Sequence, residues 1–199
     1  VEALKSGKVS GRGPFTERAE RWLLDKVKNV EDILLTTSCT HALEVAAILL
    51  DLEPGDEVIV PSYTFVSSAL AFLMHGATLR FCDVRADTAN LDEKILEEHI
   101  TKRTRAIVVV HYAGVSCEMD AIMAVAKKHS IYVIEDNAHG LFGKYKGVQL
   151  GCIGDFSTHS FHETKNISCG EGGALYLKSE QMARRAEIII EKGTNRSQF

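Results

Sequence analysis

The segment "RAIVVVH", residues 105–111, sets the tightest limit on what this chain can become. From Ala106 to Val110 it carries no polar side chain, and four of those five residues are β-branched. A strand with one wet face alternates polar and apolar positions, so an unbroken run of this kind belongs to a strand covered on both sides. Helical and strand patterns alternate around it from residue 16 onward. "FTERAERWLLDKV" repeats apolar residues at helical spacing (Ala19, Trp22, Leu23, Val27), and "DILLT" reads as a short strand. "SCTHALEVAAILL" is a helix that Ser38 can cap. Pro54 and Gly55 turn the chain into a strand ending at Pro61, and a helix over "FVSSALAFLMH" closes at Gly76, where glycine accepts the left-handed cap. "TLRFCDV" is the next strand, and Asn90 and Glu93 in "NLDEKILEEHI" have capping-box spacing, which predicts a helix there. Helix "DAIMAVAKKH", strand "IYVIED", a hairpin-like "GKYKGVQLG", strands "DFSTHSF" and "GALYL" and helix "SEQMARRAEIIIEK" complete the series. Such alternation predicts an α/β fold: a mostly parallel sheet with helices on both faces. Sheets of that kind bind ligands at the carboxyl ends of their strands, which singles out the loops beginning at Thr36, Pro61, His111, Asp136 and Ser160.

Composition narrows the partners. The net charge of −4 over 199 residues, with no basic run, argues against nucleic acid. The five cysteines include no CxxC pair, which disfavours zinc ribbons and disulfide frameworks and suits a reducing cytoplasm. No apolar stretch approaches the ~20 residues that span a bilayer, and no signal peptide opens the chain. The chain starts at Val1 and stops after "EKGTNRSQF" with no closing element, which predicts a piece of a longer protein. Residues 1–30 read as an N-terminal segment with its helix, and 31–199 as the main domain.

Candidate chemistry centres on "STHSFHETKNISCGEGGALYL", residues 157–177, where Lys165 stands alone between two apolar runs. A loop lysine is ordinarily a solvated one. No GxxxxGK[ST] is present, and Gly170, Gly172 and Gly173 precede a strand rather than a helix, so the nucleotide-binding fingerprints fail. His159, His162 and Glu163 invite a metal but lack a fixed third ligand, and Cys39 and Cys169 suggest thiol chemistry or simply small core residues. Pyridoxal phosphate makes a fuller set of demands: a lysine for its aldehyde, a carboxylate for its ring nitrogen, hydroxyls and amides at a helix start for its phosphate, and an aromatic cover. Asp136 ends "IYVIED", and Lys165 follows 29 positions later (165 − 136). Ser38 and Thr40 stand at a helix start, Ser160 adds a hydroxyl, and Phe65 opens another helix. Each also has a plain alternative, Asp136 as a loop cap and Phe65 as core.

The segments "TTSCTHALEVAAILLDLEPGDEVIVPSYTFVSSA", "VHYAGVSCEMDAIMAVAKKH", "VIEDNAHG", "SFHETKNISCGEGGAL" and "EKGTNRSQF" resemble the DegT/StrS family of sugar aminotransferases over nearly the whole chain. Within the family they look most like the branch that aminates dTDP-4-dehydro-6-deoxyglucose for enterobacterial common antigen and related lipopolysaccharide biosynthesis. The resemblance implies the large domain of a fold-type I pyridoxal-phosphate (PLP) aminotransferase, with a small C-terminal domain beyond the end of this chain. It implies a homodimer with the site at the subunit interface, and glutamate and a keto-sugar nucleotide as substrates. Carried over by position, Lys165 forms the Schiff base, Asp136 meets the pyridinium nitrogen and His139 lies near the phenolic oxygen. Phe65 stacks on the ring, while Ser38, Thr40, the His41 amide and Ser160 surround the phosphate. Lys192, Asn195 and Arg196 offer donors for a nucleotide-sugar phosphate, or are solvated charges at a helix end. A branch of the family replaces the lysine with histidine and dehydrates; "HETKN" keeps Lys165. The alternatives are an aminotransferase for a UDP-linked or C3-keto sugar, a catalytically silent fragment, and a cofactor-free binding module.

Overall fold

The structure, a computed structural model, describes residues 2–7 and 11–195. In chain order the elements are α1 (Glu2–Lys5), α2 (Pro14–Leu24), β1 (Asp32–Thr36), α3 (Cys39–Leu49), β2 (Glu57–Pro61), α4 (Ser67–Met74) and β3 (Thr78–Cys82). They continue with β4 (Thr104–Val110), α5 (Met119–His129), β5 (Tyr132–Asp136), β6 (Lys144–Tyr145), β7 (Val148–Gln149), β8 (Phe156–Ser160), β9 (Gly173–Leu177) and α6 (Glu180–Ile190). Seven strands form one sheet in the order β1-β9-β8-β5-β4-β2-β3, and β6 and β7 make the small hairpin. Strands β8, β5, β4, β2 and β3 pair in parallel, whereas β9 runs antiparallel between β8 and β1.

The β4 run behaves as its composition demands. Side chains alternate across a sheet, so Ala106 and Val108 join the apolar layer under α3, α4 and α6, while Ile107 and Val109 join the layer under α5. All four are fully buried. A third cluster packs Leu23 of α2 against Ile33 of β1 and Tyr176 of β9. Truncating one of these fully buried side chains, Ile107→Ala for instance, costs roughly 2–5 kcal/mol. Among the described residues no helix is long and apolar enough to cross a membrane.

Local signals account for most boundaries. Ser38 caps α3 by accepting the His41 amide on its hydroxyl (3.1 Å). Gly76 follows α4 with φ +93°, the left-handed stop that only glycine takes without strain. Two expectations fail. No α-helix forms over residues 90–100; a short 3₁₀ turn, Leu96–His99, is all that appears. Asn90 is buried instead, its side chain donating to Val115 O (3.0 Å) and accepting from Tyr112 N (2.9 Å). An amide held by a distant loop cannot also cap a helix. In α2, Trp22 leaves the core face and packs edge-on against Phe142, and the helix stops before Val27.

Candidate active site

Five strands end at one edge of the sheet, and the loops that follow them line a cavity of about 520 Å³. That volume suits a small cofactor with its substrate. β1 delivers Ser38, Cys39 and Thr40 at the start of α3; β2 delivers Tyr63, Thr64, Phe65 and Ser67; β4 delivers Tyr112. β5 ends in Asp136 and is followed by His139, and β8 leads to His162 and Lys165. The loop before β9 closes the wall with Glu171.

At the α3 end, the first amides of a helix lack intrahelical partners and carry the positive end of its dipole. The Ser38 hydroxyl takes the His41 amide, so that amide is engaged within the helix cap rather than offered to the cavity. The Thr40 hydroxyl lies 2.7 Å from Ser67 Oγ. β9 approaches this turn so closely that a Cβ on Gly173 would stand 2.5 Å from the Cys39 nitrogen. Only glycine lets β9 back the helix start this closely. Such a cradle, with hydroxyls and free amides at a helix start, fits a phosphate.

At the other end stands Asp136, 5% exposed. Its Oδ2 accepts from Ser68 Oγ (2.6 Å), its Oδ1 from Ala138 N (3.1 Å), and the Cys39 thiol lies 4.0 Å from Oδ1. A carboxylate accepts at about four positions, so Asp136 keeps capacity for a further donor. His139 accepts the Ala113 amide on Nδ1 (3.1 Å), which leaves the proton on Nε2. Burial first, and then the charge of Lys165, lower its pKa, so the ring is neutral. Tyr112 meets His139 edge-on, and its hydroxyl lies 3.2 Å from that of Tyr63. Lys165 belongs to a turn in which its amide donates to His162 O (2.9 Å). A lysine, an aspartate with open capacity, a neutral imidazole donor and a helix-start cradle fit pyridoxal phosphate as a set.

Phe65 is 75% exposed at the cavity mouth, which removes the core alternative. Ser160 does not line the cavity; it is buried at the end of β8, with its hydroxyl 3.4 Å from the His162 amide. His41 and Lys192 line a neighbouring cleft with Arg12 and Thr37, and Asn195 is exposed. Arg196 lies outside the described residues. His159 and His162 do not converge on a metal. His159 is fully buried, stacked on Tyr176, whereas His162 faces Glu171. Burial and then the Asp136 charge raise the Cys39 pKa, which keeps the thiol protonated and unsuited to nucleophilic work. Sequence reasoning missed Tyr63, Thr64, Ser67, Ser68 and Tyr112. The only trace of them was their place in "PSYTFVSS" and "VHYAG", beside residues that had been singled out.

The fold, a mostly parallel sheet with this cavity at its carboxyl edge, is that of solved PLP-dependent aminotransferases. The chain belongs to the DegT/DnrJ/EryC1/StrS aminotransferase family, whose model matches residues 1–199. It is 39% identical to the spore coat polysaccharide biosynthesis protein SpsC of Bacillus subtilis, over 99% of this chain and 50% of SpsC. An aminotransferase from Psychrobacter cryohalolentis superposes with a TM-score of 0.87 at 37% identity, covering 94% of this chain and 47% of the other. DesI, solved in the presence of its TDP-sugar product, gives 0.90 at 32% identity, covering 98% and 49%. The family is PLP-dependent, and its solved members include PLP and PMP forms. The chain spans about half the length of the curated relatives it matches.

Proposed function

We propose that this chain is the cofactor-binding half of an enzyme that transfers an amino group from glutamate to a keto-sugar nucleotide. The observation that carries the proposal is the convergence of Lys165, Asp136, His139 and the α3 cradle on one cavity. Pyridoxal phosphate supplies an aldehyde that bonds amines and a protonated ring that delocalises the charge left when a Cα proton departs. Lys165 would hold the aldehyde and, when its amine is free, would serve as the general acid and base for the donor Cα proton. Asp136 keeps the ring nitrogen protonated. His139 donates from Nε2 to the phenolic oxygen, Phe65 covers one ring face, and Thr40 with the first amides of α3 takes the phosphate. Ser38 acts there as the helix cap, and Ser160 supports the His162 turn from behind.

The finer proposal is that amination falls on C4 of dTDP-4-dehydro-6-deoxyglucose, for cell-surface glycan synthesis. What supports it is the likeness of "SFHETKN" and "EKGTNRSQF" to that branch, together with relatives named for spore coat polysaccharide and solved with a TDP-sugar. Lys192 and Asn195 reach the nucleotide side in this reading. Val66, Leu70, Leu73 and Met74 form an exposed apolar strip on and beside α4, next to Phe65. That strip supports a homodimer in which a second copy covers α4 and borders the cavity. Borohydride reduction of the full-length protein with its cofactor, followed by peptide mapping, should place the pyridoxyl label on Lys165; a label on Lys144 or Lys146 would sink the assignment. Incubation with glutamate and the dTDP-keto sugar should give a 4-amino-4,6-dideoxy product and 2-oxoglutarate. Amination of UDP-linked or C3-keto sugars alone would discard this substrate and keep the aminotransferase.

A further inference from the structure

Asp136 stands at the end of a hydrogen-bond chain that begins at the cavity wall. Ser68 is 1% exposed, and its Oγ donates to Asp136 Oδ2 at 2.6 Å. The same Oγ lies 2.8 Å from Thr64 Oγ1. A hydroxyl has one hydrogen and an ionised carboxylate has none to give, so the Ser68 hydrogen is directed to Asp136. Thr64 therefore donates to Ser68, and Thr64 Oγ1 turns only lone pairs toward the cavity it helps to line. Ser68 is also tied to the aromatic residue at the cavity mouth, since its amide donates to Phe65 O (3.1 Å). With Ser68 on Oδ2 and the Ala138 amide on Oδ1, the plane of the carboxylate is fixed from both sides.

We propose that Thr64 and Ser68 are positioning residues for the ring-nitrogen contact, a relay that holds Asp136 oriented toward the cofactor. This rests on the assignment of Asp136 made above. A buried carboxylate is costly to keep ionised unless hydrogen bonds to its charged form compensate, and bonds to a charged acceptor are the short, strong ones. The relay supplies one from a helix start. Ser67, the preceding residue, contacts Thr40 of the phosphate cradle. Two consecutive serines thus link the α4 start to both ends of the cofactor site.

The test is equilibrium binding of two ligands to the full-length chain: pyridoxal phosphate, and its 1-deaza analogue with carbon in place of the ring nitrogen. Asp136→Asn calibrates the measurement and should erase the preference for pyridoxal phosphate over the analogue. Ser68→Ala should weaken pyridoxal phosphate binding by about tenfold and analogue binding by less than about twofold. Thr64→Val should show the same selectivity at about threefold, and Thr64→Ser should restore binding. Thr64 is partly exposed, so its variants report even where Ser68→Ala fails to fold. Equal losses for both ligands in Ser68→Ala and Thr64→Val would make these residues merely structural and overturn the proposal. A preference that survives in both variants but vanishes in Asp136→Asn would overturn the relay alone. A preference that survives Asp136→Asn would remove the ring-nitrogen assignment, and the relay with it.

Discussion

Glu135 and Asp136 are consecutive carboxylates at the end of β5, and the pleat sends them to opposite faces of the sheet. Glu135 is fully buried beneath it and fully used. Its Oε1 accepts the amides of Ile153 (2.7 Å) and Gly154 (2.6 Å), and its Oε2 accepts the Gly151 amide (2.8 Å) and His111 Nε2 (2.9 Å). His111 in turn accepts the Cys117 amide on Nδ1, so it is a neutral ring donating to a charged partner. Burial pushes the Glu135 pKa up, but the bonds from His111 and the glycine amides outweigh it and leave the group below the ordinary carboxylate value. Asp136, facing the cavity, has room left on its oxygens. The difference teaches how to tell a structural carboxylate from one with room for a ligand: burial is nearly the same, and the count of donors already supplied by the protein separates them.

Breaking that contrast has its largest effect on Glu135. Glu135→Ala strands His111 and three amides in the core and should cost roughly 3–5 kcal/mol of stability, read by urea unfolding of the full-length protein. A loss under about 1 kcal/mol would mean that water replaces the carboxylate and that the two residues are not opposites. Asp136→Asn should do the reverse. Amination by the full-length enzyme should fall about 100-fold, the scale of one preorganised charge contact, while stability moves by less than about 1 kcal/mol. A large stability loss with full activity would exchange the roles.

The polar layer under the sheet sharpens the contrast through pH. His159 is stacked on Tyr176 with ring centroids 3.8 Å apart, and burial depresses its pKa to about 3. Ser157 gives its hydrogen to Gly151 O and so accepts from His159 Nε2, while Nδ1 accepts from the Asn137 side-chain amide, which fixes a neutral ring. An unfolded histidine titrates near 6.5, so the folded state binds fewer protons below that value. Stability is complete above pH about 6.5 and is lost as pH falls toward the folded value. Between pH 6.5 and 5 this group alone should remove about 2 kcal/mol, and His159→Phe should flatten the slope in that window. Equal slopes in both proteins would show that His159 protonates without unfolding.

Phe65→Ala should be the mildest change. A side chain this exposed should contribute within about 0.5 kcal/mol to the apo protein, whereas loss of a ring contact should weaken cofactor retention by about five- to tenfold. Melting curves with and without pyridoxal phosphate separate the two, and equal drops in both would show that Phe65 makes no contact with the cofactor.

Much of this was legible in the chain. Apolar β-branched runs marked β4 and β5, and the five loops singled out from strand ends are those that line the cavity. What stayed hidden depends on partners far away in sequence. Asn90 has helix-capping chemistry, yet its side chain is taken by residues 112 and 115. The His41 amide belongs to a helix start, but whether it is free depends on where the Ser38 hydroxyl points. Ser68 reads as an ordinary helix residue, and its significance lies in a carboxylate 68 positions later. Local periodicity records burial; it does not record which buried polar group meets which.

Strand β9 gives the site a history as well as a shape. Among the described residues β1 has no neighbour in the sheet except β9, and Thr36 pairs with Gly173, 137 positions further on (173 − 36). At ordinary rates of synthesis, on the order of 10 s pass between the ribosome making the first strand and making its partner β9. Until then β1 is an orphan of the nascent chain. The α3 start lacks the glycine strand that backs it, while β2, β4 and β5 already have one another. The α3 end of the cavity, where the proposed site would take a phosphate, is therefore the last to be assembled, and the Asp136 end waits for it.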